Sequence, residues 1–200
     1  MTRIPSFTIL TIAGSALALG ACMKAEAPVD NAVANDVVAG NAMAGNAIAG
    51  APAAFFFKSG AAAELGTVTV SEDPAGLMLN LSATGMPAGV HGIHLHETGL
   101  CDGPKFESAG KHWNPAGKQH GRDNPAGAHA GDLANLTIAA DGSAKVSIPI
   151  AGAMIASGAM MLADADGTAL VVHAKPDDYK TDPSGDSGDR IACAVLAAVK

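Results

Sequence analysis

Six of the chain's seven histidines fall in one stretch, HGIHLHETGLCDGPKFESAGKHWNPAGKQHGRDNPAGAHAGD, running from His91 to Asp132. They are His91, His94, His96, His112, His120 and His129, and His173 stands apart. Imidazole is the commonest transition-metal ligand, so a dense histidine set closed by a carboxylate points to a metal centre. His94 and His96 flank Leu95, and side chains two apart on a strand leave the same face. Both rings can then close on one ion while Ile93 and Leu95 enter the core. His91 is out of phase with that pair and reads as a structural histidine beside the site. His112, His120, His129 and Asp132 are separated by Asn114-Pro115, Gly117, Gly121, Asn124-Pro125 and Gly127, which make a loop. Three histidines and an aspartate with no water position form a closed, structural kind of zinc site. Such a loop needs the ion to hold its shape.

The elements that must position these residues read as short strands. Alternating or β-rich runs occur at 54–58, 65–71, 77–82, across His94 and His96, and at 133–139, 144–150, 160–163, 168–173 and 191–199. Turns fall at 72–76, at 85–89 and around Asp166-Gly167. Asp141-Gly142 is expected to join 133–139 to 144–150 as a hairpin. With no amphipathic helix, this is an all-β chain, a sandwich or barrel. Two hundred residues suffice for one core plus an appendage.

The appendage is N-terminal. Arg3 followed by the apolar run from Phe7 to Leu19 reads as an export leader too short to span a membrane. Its end, Leu19-Gly20-Ala21-Cys22, resembles a bacterial lipobox, which implies cleavage before Cys22 and lipid attachment there. Met23 in place of Asp favours the outer over the inner membrane. Residues 23–52 are low-complexity: Gly40-Asn41-Ala42-Met43-Ala44 nearly repeats as Gly45-Asn46-Ala47-Ile48-Ala49. So few large side chains form no core, and thirty such residues give a tether with a reach of roughly 30 Å. Residues 53–200 are the folded domain. The formal charge of −7 argues against nucleic acid as a partner.

The motifs of the domain, taken in order, are similar to those of the copper/zinc superoxide dismutase family. They are Gly92-Ile93-His94-Leu95-His96, Gly99-Leu100-Cys101, His112-Trp113-Asn114-Pro115, His120-Gly121 and His129-Ala130-Gly131-Asp132. Leu170-Val171-Val172-His173 and Arg190-Ile191-Ala192-Cys193 follow. The resemblance covers about Leu65 to Val199. Trp113 stands where Phe is commoner and Ala194 where Gly is common. The resemblance implies a Greek-key β-sandwich or flattened barrel with long metal-binding and electrostatic loops.

The resemblance also implies roles. Copper would take His94, His96, His112 and His173, and zinc would take His112, His120, His129 and Asp132, so that His112 serves both metals. Copper would cycle between oxidation states, with a proton moving through His112. Asp177 would hydrogen-bond His94 and His120, and Arg190 would receive the anion; the alternative for Arg190 is a surface ion pair with Asp186 or Asp189. Beyond lipidated Cys22, two cysteines remain, and in an exported chain Cys101 and Cys193 read as a disulfide. The resemblance supports that pairing; the alternative is one thiolate as a metal ligand. The expected partner is superoxide, with a homodimer left open. From Ala53 onward, 10 Lys and Arg face 16 Asp and Glu, so attraction of an anion must be local, through Arg190 with Lys175 or Lys111. A metal buffer without turnover would lack a copper ligand or the arginine, and neither is lacking. A zinc hydrolase would need an open metal position and a carboxylate base. The histidine-aspartate set is closed, and Glu97 points away from His96.

Overall fold

The computed structural model describes residues 53–200. The leader (1–22), Cys22 and the tether (23–52) lie outside the described residues. Nine strands form among these residues: β1 (Ala53–Ser59), β2 (Glu64–Asp73), β3 (Gly76–Ala83), β4 (Gly89–His91), β5 (Ile93–His96), β6 (Leu136–Ile138), β7 (Ala144–Ala151), β8 (Thr168–His173) and β9 (Arg190–Ala197). One 3₁₀ turn, Glu107–Ala109, is the only helical element among the described residues. Seven strands make one curled antiparallel sheet in the order β5-β8-β9-β1-β2-β3-β7, and β4 pairs with β6 apart from it.

Period-two patterning builds the core. Val68 and Val70 of β2, Leu77, Leu79 and Leu81 of β3, and Ile148 and Ile150 of β7 are buried together inside the curl. β8 is different, because all six of its residues are buried. Leu170 and Val172 enter the main core. Ala169 and Val171 join a second, smaller cluster with Phe106, Ala109 and Cys193 on the opposite face. That cluster contains the Cys101–Cys193 disulfide, which links residues 92 apart. His173 is in phase with Ala169 and Val171, so the disulfide cluster lies on the same face of β8 as this histidine.

Three expectations change. Residues 160–163 form no strand; Met161 makes only an isolated bridge to Met154. Here Asp164 Oδ1 accepts the N–H groups of Asp166 and Gly167, turning the chain before a strand can extend. The Asp141-Gly142 turn does close, with Gly142 N–H donating to Ala139. The strands it joins separate, β6 pairing with β4 and β7 with β3. Of the strand expected over 133–139, only Leu136–Ile138 is extended. Leu133 is buried, but the residues around it turn through the metal loop. A shallow depression of about 460 Å³, lined by Thr67, Thr69, Asn80, Leu81, Lys145 and Val146, lies on strands that contribute no site residue.

Candidate metal centre

β5 ends the seven-stranded sheet, and its open edge is occupied by the loop. Leu95 N–H donates to Gly131 O (2.9 Å), Trp113 N–H to Leu95 O (2.8 Å), and Gly131 N–H to Trp113 O (2.9 Å). These three bonds bring His96 opposite His112 and His94 opposite Asp132. Gly131 is required there, since a Cβ would sit 2.5 Å from Leu95 O. Ile93 and Leu95 face the core and His94 and His96 face the loop, as strand alternation demands. His173 ends β8 and pairs across the ladder with Arg190, the first residue of β9. Sequence elements from three strands and one long loop thus converge on the outer face of the sheet.

Two side-chain sets result. In the first, His94, His96, His112 and His173 are all buried and have ligand atoms within 4.8 Å of one another. Each is held from outside by one ring nitrogen. His94 Nε2–H donates to Asp177 Oδ2 (2.8 Å), His96 Nδ1–H to Gly110 O (3.0 Å), and His173 Nδ1–H to Gly188 O (3.1 Å). Each of the four then leaves one buried nitrogen with no partner: His94 Nδ1, His96 Nε2, His112 Nε2 and His173 Nε2. Buried polar atoms are normally satisfied, so four orphans in one cluster are the signature of a ligand set. Four imidazole nitrogens suit copper.

In the second set, three Nδ1 atoms surround one oxygen. His112, His120 and His129 lie 3.0, 3.0 and 3.1 Å from Asp132 Oδ1. A carboxylate oxygen has too few lone pairs for three such donors, and the arrangement is that expected around a cation. Three nitrogens and one oxygen match a closed zinc site. His94 also falls within reach of His120 and Asp132. Its Nε2 is taken by Asp177 and its free Nδ1 belongs to the orphan group, so we group it with the first set. His112 is common to both, with ring centroids 3.9 Å from His94, 5.0 Å from His96, 5.1 Å from His120 and 5.5 Å from His129. His91 makes no ligand contact; its ring nitrogens face His173 O and Pro87 O.

Electrostatics follow burial. Desolvation lowers His94, and it lowers His96 well below its ordinary value, with His112 and Arg190 acting in the same direction. It also takes His112 to about 4 and His173 to about 3. Burial lowers His120 too, but hydrogen bonds to Asp132 and Asp177 outweigh it and raise this histidine to about 9. Burial tends to raise Asp132 and Asp177, yet hydrogen bonds from His112 and His120, and from His120 and His94, hold both carboxyls well below the usual range. A histidine depressed by folding refuses protons that the unfolded chain accepts below 6.5, so its stability is lost as pH falls through that value. The raised His120 contributes fully below 6.5, and its share is lost as pH rises through about 9. The metal-free chain is therefore expected to show its highest urea midpoint near pH 6.5, with lower midpoints at about pH 5 and about pH 9.5. A midpoint that climbed on acidification to about pH 5 would contradict this ordering.

Arg190 pairs with neither Asp186 nor Asp189 among the described residues. Its Nη1 and Nη2 donate to Phe106 O (2.5 Å) and Gly110 O (2.6 Å). Gly110 O thus ties the arginine and His96 to one carbonyl. Lys175 is 61% exposed and 3.9 Å from Asp186, and Lys111 is exposed, so both are peripheral. Glu97 Oε1 accepts the Lys111 N–H instead of facing the metal sets. Three residues with site contacts were not evident from sequence: Asp182, which accepts the His120 N–H (2.6 Å), and Asn135 and Tyr179, which contact Asp177. A single tyrosine in a Gly/Asp loop was the one available hint.

A protein-family model described as copper/zinc superoxide dismutase matches residues 64–196. A copper-zinc superoxide dismutase of Caulobacter vibrioides is 45% identical over 142 residues, 70% of this chain and 82% of that protein. A second, from Aquifex aeolicus, is 41% identical over 66% of this chain and 78% of that protein. Among solved structures, a superoxide dismutase-like protein from Bacillus subtilis superposes with a TM-score of 0.71 at 37% identity, over 73% of this chain and 99% of that one.

Proposed function

The chain belongs to the copper/zinc superoxide dismutase family, and on that premise we propose how its residues divide the reaction between two metals. It is an oxidoreductase acting on superoxide, with copper and zinc as cofactors. In our reading copper is held by His94, His96, His112 and His173, and zinc by His112, His120, His129 and Asp132. The observation that carries this is the double face of His112: Nδ1 turned to Asp132, Nε2 bare among the other three histidines.

Bound copper supplies the one-electron oxidation and reduction by which two superoxide ions and two protons become oxygen and hydrogen peroxide. The chain supplies the rest. Asp177 and the Gly110 and Gly188 carbonyls fix the ring orientations of His94, His96 and His173. The same contacts keep one nitrogen of each ring bare. His112 Nε2 is the buried atom at which a proton can be held for the peroxide. Arg190 has N–H groups to spare beyond its two carbonyl bonds, and these can receive the anion.

Reconstitution tests the reading. The metal-free chain should gain dismutase activity only with copper and should bind one zinc alongside it. Activity with zinc alone, or none with both metals, would sink it. Arg190→Ala is expected to lower kcat/KM by about tenfold or more, with a modest salt dependence in the parent because the local cation works against a net negative domain. Pulse radiolysis giving an unchanged rate would remove Arg190 from substrate capture.

The leader and the Leu19-Gly20-Ala21-Cys22 sequence support export to the periplasm with a lipid on Cys22, at the outer membrane in preference to the inner. Mass spectrometry of the mature chain should find an acylated N-terminal Cys22; cleavage elsewhere would refute the anchor.

A further inference from the structure

Asp177 belongs to neither metal set and yet touches a histidine of each. Oδ2 accepts from His94 Nε2 and Oδ1 from His120 Nε2. Reaching both rings at once demands that the backbone of residue 177 be fixed in position and rotation. The structure contains a dedicated clamp for that purpose. The Asn135 side-chain amide donates to Asp177 O (2.9 Å) and accepts from Asp177 N–H (2.8 Å), so it binds the main chain of residue 177 on both of its polar groups. Tyr179 completes the clamp. Its N–H donates to Asp177 Oδ1 (2.7 Å), and its hydroxyl oxygen accepts the Asn135 N–H (2.8 Å).

Tyr179 also reaches the segment that follows His120. Its carbonyl accepts the Asp123 N–H (3.0 Å), and the Arg122 guanidinium lies 3.7 Å over its ring. Gly121 approaches so closely that a Cβ would sit 2.1 Å from Tyr179 O. The tyrosine holds φ at 63°, a left-handed backbone that a residue with a ring at Cβ seldom adopts. Such a conformation persists only where surrounding contacts over-determine it. Here four do: a ring stack, a hydroxyl bond and two main-chain bonds.

We propose that Asn135 and Tyr179 are positioning residues for the metal centre, setting the placement of Asp177 so that a single carboxylate orients a copper-set and a zinc-set histidine together. This rests on the two-metal reading above. Neither residue touches a ligand ring, so both act through Asp177. Loosening the clamp rotates the carboxylate and disturbs both sets at once, which a plain loop anchor would not do.

The full chain, Asn135→Ala and Tyr179→Phe are each loaded with copper and zinc, and in parallel with cobalt(II) in place of zinc. Three readouts apply: zinc loss to EDTA, the visible bands of cobalt, and the copper EPR spectrum. Asn135→Ala is expected to lose zinc about tenfold faster and to shift both the cobalt bands and the copper spectrum. Tyr179→Phe, which keeps the ring over Arg122, should shift all three in the same direction by a smaller amount. A fall in melting temperature with unchanged cobalt and copper spectra overturns the proposal, because that is what a structural anchor predicts. Should Asn135→Ala fail to fold, Tyr179→Phe decides alone, and unchanged spectra in it sink the idea. A parent chain that takes up no copper and zinc would instead refute the two-metal reading itself.

Discussion

His112→Ala is expected to slow superoxide dismutation by about a thousandfold at full copper content, while the domain stays folded. The fold should survive because the bonds at this point of the loop are main-chain ones, from Trp113 N–H to Leu95 O and from Gly131 N–H to Trp113 O. What is removed is an imidazole with one nitrogen in each set and a basicity lowered by burial to about 4. A second consequence separates loss of a shared ring from loss of one ligand among four. In the parent, the copper EPR spectrum should change when zinc is added. In the variant it should not. A rate within tenfold of the parent, or a copper spectrum that still answers to zinc, would show that the two sets are not joined through this residue.

Removing the disulfide as Cys101→Ser with Cys193→Ser should cost about 4–5 kcal/mol of stability on the chain-entropy model, since the bond closes a loop of 92 residues. For a domain of this size that is roughly a 10–20 °C fall in melting temperature. Activity should fall as well. The bond sits in the small cluster with Phe106 and Ala109, and the carbonyls of Phe106 and Gly110 hold Arg190 while Gly110 also holds His96. Calorimetry and pulse radiolysis on the same sample test both halves. A large stability loss with an undiminished rate would mean that the neighbouring loop keeps its shape without the covalent link.

Much of this was readable beforehand because period and spacing report local geometry. The alternation in 65–71 and 77–82 became β2 and β3 because their buried faces are unambiguous. The pairing of His94 with His96 followed from the same rule. What spacing does not encode is which loop atoms meet. Nothing in the residues around Asn135 marks its amide as the partner of a main chain 42 positions away. Gly110 and Gly188 serve through carbonyl oxygens, which every residue possesses, so no residue type betrays them. The turn at Asp141-Gly142 was legible, but its strands parted because each found a longer-range partner, which a local pattern cannot reveal. The 160–163 run failed for the complementary reason, an apolar stretch whose neighbour Asp164 caps a turn.

The capped edge of β5 has a consequence for how the sheet meets other chains. A sheet's two outermost strands carry unpaired main-chain groups that invite a foreign strand to add on. At the β7 end the chain carries Pro149 and Lys145, which discourage such growth. At the β5 end it has no comparable residue, for Ile93-His94-Leu95-His96 is wholly buried and its outer edge is covered by the histidine loop. The same loop that gathers the ligand histidines therefore serves as a guard against polymerisation, its main-chain bonds to Leu95 occupying the groups a foreign strand would use.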